Sequence, residues 1–166
     1  MARTVATAPT LYRWDSPSTR VFMYATVASG ALVPTRVEMD ASSTIDITGL
    51  IVEVQGFETD IETTTVSAWG SDALPQTVSG PRTIADSTLI TKASRDHLDL
   101  RQYVDPGEIV WLSFLSAGDT PGAKQEVWKV ECSNHTASKA GGNEGRLTTK
   151  FNIIDGNESA TIPAAA

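Results

Sequence analysis

The sequence predicts a mainly β protein, a small antiparallel β-sandwich or barrel flanked by one short α-helix, with long loops and flexible termini. Three observations carry that expectation. Threonine is abundant, at 21 of 166 residues, and Val and Ile recur in short groups; these side chains suit a pleated, half-buried surface. Turn signals such as "DSPST", "ASGALVP", "WGSDALP", "DPGE", "AGDTPGA", "AGGNEG" and "DGNES" break the chain at short intervals, as short strands in a sandwich or barrel require. The last third then alternates apolar and polar residues with the two-residue period of strands.

Taken in order, the N-terminal 20 residues read as a polar arm outside the core. The stretch "VPTRVEMDASST" (33–44) reads as a long polar loop. "SSTIDITGLIVEVQGF" (42–57) reads as one or two strands around Gly49. "RTIADSTLITK" (82–92) reads as a strand. The helix is expected over "SRDHLDLRQYVDPGE" (94–108), capped by Ser94, stopped at Pro106-Gly107, with Leu98, Leu100, Tyr103 and Val104 as its apolar stripe. "EIVWLSFL" (108–115) is an apolar run of strand length, consistent with a buried central strand. "EVWKVEC" (126–132) places Trp128, Val130 and Cys132 on one face and Lys129 and Glu131 on the other. "RLTTKFNIID" sets Leu147, Thr149, Phe151 and Ile153 against Thr148, Lys150 and Asn152. These last three segments are expected to be antiparallel neighbours. Residues 1–166 form one domain on this reading, with 1–20 as arm and 157–166 as a flexible tail.

The charge excludes some functions. Net charge is −7 and the isoelectric point about 4.7, without the clustered Lys and Arg that grip phosphates. One cysteine, Cys132, permits no intramolecular disulfide, and "MARTVATAPTLYRWDSP" has no secretory apolar core, so synthesis in the cytoplasm is expected. No apolar run is long enough for a membrane-spanning helix. No catalytic, cofactor-binding or metal-ligating set stands out. His97 and His135 lack ligand spacing, His97 reads as an exposed helix residue, and Cys132 reads as a core thiol. Non-enzymatic function is therefore expected.

Acid placement is more informative. From Val37 to Pro81 there are eight acids (Glu38, Asp40, Asp46, Glu53, Glu58, Asp60, Glu62, Asp72) and no Lys or Arg. The carboxylates have no calcium-loop spacing. They instead make a single-sign surface that repels polyanions.

The order of "VSAWGSDALPQTVSGPRTIADSTLI", a short helix, "DPGEIVWLSFL", "EVWKVECSNHTASKAGGNEG" and the closing "RLTTKFNIID" resembles the major tail tube protein of long-tailed (siphovirus-like) bacteriophages over roughly residues 40–162. The resemblance implies a virion protein, assembled in the host cytoplasm, whose copies join edge to edge into hexameric rings. The rings stack into a tube with a β-barrel inner wall. Its partners would be itself and the tape-measure, tail-terminator and distal tail proteins, with DNA passing through without specific binding during ejection and no membrane insertion. Six copies at −7 carry about −42 per ring, and a carboxylate-lined bore lets DNA slide. Glu53, Glu58, Asp60 and Glu62 are the candidate lumen-facing acids, and Trp69 the candidate inter-subunit packing residue. Two alternatives stand beside this: the tube protein of a contractile tail or injection machine, and a β-sandwich capsid-decoration or carbohydrate-binding module. The latter would present exposed aromatics, for which Trp14 and Trp69 are the candidates, since Trp111 and Trp128 lie in core-like strands.

Overall fold

Burying the apolar runs of the C-terminal third requires a sheet with two covered faces, and the structure supplies one. The computed structural model describes residues 18–66, 76–84, 87–94, 98–138 and 145–164, with the backbone alone over 59–66 and 76–84. Its strands are β1 (Arg20–Tyr24), β2 (Ile45–Asp46), β3 (Ile51–Gln55), β4 (Thr59–Val66), β5 (Gln76–Ile84), β6 (Ser87–Lys92), β7 (Ile109–Leu115), β8 (Lys124–Ala137) and β9 (Arg146–Thr161). Seven form an antiparallel sheet in the order β2-β1-β7-β8-β9-β6-β3, curled into a half-barrel, while β4 and β5 pair as a separate two-stranded ribbon. The mainly β expectation holds, including the antiparallel run β7-β8-β9.

Alternation decides which face each residue serves. On the inner face, Val21 and Met23 from β1 meet Val110, Leu112 and Phe114 from β7 and Trp128, Val130 and Cys132 from β8. Leu89 from β6 and Leu147 and Phe151 from β9 complete that layer, and Ile47, Leu100 and Val104 close it from the loops. Each such large side chain contributes about 1.5–3 kcal/mol by leaving water. On the outer face, Trp111, Leu115, Val127 and Ala160 are covered by Tyr24, Val27, Leu32, Val33 and Met39, all from the end of β1 and the excursion after it.

β8 and β9 are the longest strands, and their pairing shifts register at Gln125/Val127, Lys129/Val130 and Cys132/Asn134. Such irregularities bend a strand and raise its twist. The bends let β7 pair with the first half of β8 while β6 pairs with the first half of β9, which curls the sheet.

Four expectations are corrected. No helix spans 94–108: the described part contains one 3-10 turn, Leu100–Gln102, and Asp99 is extended at φ −136° and ψ −163°. The reason is the Asp99 side chain, which accepts the backbone N–H of Ser94 and of Arg101 and so holds the chain out of helical geometry. Leu100 and Val104 are buried as the stripe required, but Leu98 is 64% exposed. The one α-helix among the described residues, α1 (Arg36–Met39), instead falls inside the expected polar loop 33–44, started by a capping box between Thr35 and Glu38. The single strand expected over 82–92 is divided between β5 and β6. The expected tail over 157–166 is strand to Thr161; Ile162 is 1% exposed and exchanges backbone bonds with Ala123 and Gly122. Residues 42–57 form β2, a 3-10 turn containing Gly49, and β3, as expected. Trp14, Trp69, Asp72, His97 and "GGNE" (141–144) lie outside the described residues.

Gly156 is required by the core. It pairs with Trp128 across β8 and β9, and a Cβ placed there would sit 2.3 Å from the Trp128 ring. A wholly buried indole cannot yield. Gly156→Ala is therefore expected to lower stability by about 2–3 kcal/mol in urea unfolding, whereas Gly49→Ala, which meets nothing within 4 Å, should leave the midpoint nearly unchanged.

Candidate assembly surface

Backbone groups at a sheet edge must find partners or face water, and the two edges of this sheet differ. Beside β1, the segment 45–48 acts as a cover. Phe22 and Met23 pair with Asp46 and Ile45. The Val21 N–H then donates to Thr48 Oγ1 at 2.8 Å, and Ile47 N–H donates to the Val21 carbonyl at 3.0 Å. Thr48 is itself held by Asp46, whose carboxylate accepts its hydroxyl and its N–H. The opposite edge, β3, has no such cover among the described residues and pairs only with β6.

β3 leads directly into β4, and β5 into β6. The two ladders share one register: Gln55 pairs with Thr88, and four positions along each strand Thr59 pairs with Ile84. They are two parts of one ribbon, with β3 and β4 interrupted at 56–58. Its base is the edge of the seven-stranded sheet, and its outer part, β4–β5, is an arm joined to no other strand among the described residues. Within the arm Gly80 and Pro81 lie opposite Glu62, where the register shifts. A bulge tolerates a proline that has no N–H to give. Val52 is the extra residue of a second bulge, in β3, and is 43% exposed.

The candidate acids fall along this ribbon. Glu53 is exposed on β3, its Oε1 accepting from Gln55 Nε2 at 2.6 Å. Val54 packs toward the core, so alternation sets Glu53 and Gln55 on the solvent face. Glu58 is exposed at the interruption. Asp60 and Glu62 lie on β4, Asp60 paired with Thr83. The structure thus gathers all four on one ribbon. The base-free run ends at Arg82, which pairs with Ile61 between Asp60 and Glu62. Trp69 is outside the described residues.

Sequence reasoning missed the geometry of this interruption. Gly56 has φ +75°, a conformation that glycine adopts freely, and its carbonyl accepts from the Ser87 hydroxyl at 2.6 Å and the Glu58 N–H at 3.0 Å. Phe57 turns inward, its ring 4.9 Å from that of Phe114, 6.2 Å from Trp128 and 6.5 Å from Phe151. Gly56 after a strand-like run is a local turn signal, whereas no local pattern marks the aromatic that follows it as inward.

Two charged clusters brace the rest. Arg36 forks onto Asp40 and, from the β7–β8 turn, Asp119, with the four bonds at 2.7–2.9 Å. This ties α1 across the outer face of the sheet. Burial would raise the Glu38 carboxylate, but the N–H groups of Thr35 and Ala28 and the Thr35 hydroxyl hold it below its ordinary value. Asp99, fully buried, accepts Arg101 Nη2 at 2.6 Å and Nε at 2.9 Å.

No cluster of three or more metal-ligating side chains occurs among the described residues. His135 is a staple: its Nε2 donates to the Val104 carbonyl at 2.9 Å, and its Nδ1 meets the Thr149 hydroxyl at 2.8 Å. Burial, with Glu108 and Asp105 nearby, pushes the Cys132 thiol up to about 11. A core thiol, as expected, it stays protonated at neutral pH. Of the described tryptophans, Trp128 is buried and Trp111 lies beneath Lys129, whose Nζ is 5.3 Å from the ring.

No protein-family model matches the sequence, and no curated protein matches it. Solved structures do. A chain from the cryo-EM structure of the anti-feeding prophage (AFP) baseplate, six-fold symmetrised, aligns over 92% of this chain and 96% of its own, at TM-score 0.55 and 10% identity. Chains from the phage P2 baseplate in its activated conformation align over 82% of this chain and 44% of theirs. The Ca form gives TM-score 0.43 and 14% identity, the Sr form 0.40 and 15%. At these identities the likeness is one of fold.

The Arg101 guanidinium foremost, with the Ser94 and Arg101 N–H groups, holds the Asp99 carboxyl well below the usual carboxylate range against the opposing effect of burial. Its folded pKa therefore lies under the unfolded value of about 3.9, so its stabilisation is present above that value and is lost as pH falls. Asp99→Asn is expected to unfold about 2 kcal/mol more easily at pH 7 and to show a shallower loss of stability below pH ~4 than the parent, read by urea unfolding across pH.

Proposed function

We propose that this chain is a structural, non-enzymatic subunit of a phage-tail-type assembly, in which copies join side by side into hexameric rings that stack into the tail tube. The observation that carries the reading is end-to-end likeness of fold to a chain of the AFP baseplate, together with an arm whose β4 and β5 outer edges pair with no other strand among the described residues. An isolated two-stranded ribbon is marginal in water. Neighbouring copies can supply the missing partners. Because β1 is covered by 45–48, sheet-to-sheet joining runs through β3 and the arm, and a head-to-tail contact of this kind closes on itself only as a ring.

Glu53, Glu58, Asp60 and Glu62 occupy that ribbon, so a wall built from it is acidic. Carboxylates facing a bore keep a polyanion from adhering, since phosphates are held by Lys and Arg. The same reading carries the localisation to the virion and the self-partnership, with tape-measure, terminator and distal tail proteins as contacts at the ends. Tube subunit of a contractile tail or injection machine is the second reading, favoured by the AFP likeness. Both described tryptophans serve the chain's own packing; the sugar-binding alternative rests on Trp14 and Trp69, outside the described residues.

Electron microscopy of the purified protein is expected to show rings or hollow tubes roughly 100 Å across, about six globules of 15 Å radius around a bore. A strictly monomeric protein at high concentration would overturn the reading. In virions, Glu53→Lys, Glu58→Lys, Asp60→Lys and Glu62→Lys combined should leave tubes intact and slow DNA ejection. Intact tubes with unchanged ejection would remove these acids from the bore.

A further inference from the structure

We infer that the joint at Gly56–Phe57 sets the angle at which the β4–β5 arm is presented to a second copy of this chain, with Phe57 as the positioning residue. The partner rests on the ring reading above; the joint rests on geometry within this chain.

Between the pairs Gln55–Thr88 and Thr59–Ile84, the β3–β4 side of the ribbon passes through Gly56, Phe57 and Glu58, which belong to no strand. Rotation about their backbone dihedrals changes the direction in which β4 departs from β3. Gly56, at φ +75°, provides the freedom.

Something must then hold the angle, and the arm forms no ladder with the seven-stranded sheet. Two restraints cross the joint. Ser87, fully buried at the start of β6, donates to the Gly56 carbonyl at 2.6 Å. Phe57, next in the chain, inserts its ring edge-on among Phe114 and Trp128, both 2% exposed or less. The core thus grips the residue from which the arm departs. Trp128 in turn is seated against Gly156, so the anchor's seat is rigid. An arm fixed in advance avoids an ordering cost at each contact with the next subunit.

The test uses the full chain carrying labels at Thr64→Cys on the arm and Lys150→Cys on β9, with the distance distribution read by pulsed electron spin resonance. The buried Cys132 thiol stays unlabelled under mild conditions. Phe57→Ala should broaden the narrow parent distribution and slow ring assembly about tenfold, the cost of losing pre-organisation. Phe57→Tyr should restore both. Ser87→Ala, which leaves the aromatic cluster in place, should give a smaller broadening, and it decides the matter if Phe57→Ala does not fold. An unchanged distribution in the variants overturns the joint, and so does a broadened one with assembly at the parent rate. A parent protein that stays monomeric overturns the ring reading and the partner with it, which is a different outcome from either.

Discussion

Trp128 needs a neighbour with no side chain, and much of the architecture follows from that constraint. Its indole lies where a Cβ on the facing strand would stand, so Gly156 must be its partner in β9. The pairing between β8 and β9 shifts twice between Gln125 and Val130, on either side of that contact. Those shifts bend the longest ribbon of the protein and let its two ends pair with different strands. The curled sheet, and hence its inner core, is built around one aromatic–glycine contact. The same indole takes Phe57 edge-on, which connects the centre of the core to the root of the arm.

The sheet ends in two different ways for a physical reason. At β1 the hydrogen-bonding groups are consumed within the chain, by a two-residue strand and by Thr48 acting in place of backbone. At β3, among the described residues, they are not, and the strand runs on into a ribbon whose outer edges have no described partner strand. Unpaired edges are usually a hazard, because they template uncontrolled association. On the proposed ring reading, covering one edge and extending the other makes association directional. Glu53 and Glu58, the acids of the extended side whose exposure is described, face solvent outside the core.

Charge has a second, internal use. Arg36 holds two carboxylates from different parts of the chain, and Asp99 holds one guanidinium and two backbone N–H groups. Both clusters organise loops rather than strands. Where strands pair, backbone bonds satisfy the chain; where it departs from the sheet, these side chains take over. For that reason the segments 25–41 and 98–108 have defined shapes although neither is regular over most of its length.

Alternation alone determined the strands of the C-terminal third and their inward residues. Trp128, Val130, Cys132, Leu147 and Phe151 are buried as read, because period two on a half-buried sheet leaves little choice. The same local signal predicted a helix after Ser94 and failed, since the deciding interaction is a side-chain-to-backbone bond that competes with helix geometry and has no periodicity. Local pattern also read Asn157–Thr161 as tail, where the pairing of β8 with β9 makes it strand. The acidic character of the ribbon was legible from composition alone. That the four acids share a ribbon, that β1 is covered while β3 is not, and that Phe57 anchors the arm were decided by tertiary structure. Each depends on which strands become neighbours, and neighbours are chosen by packing between residues far apart in the chain.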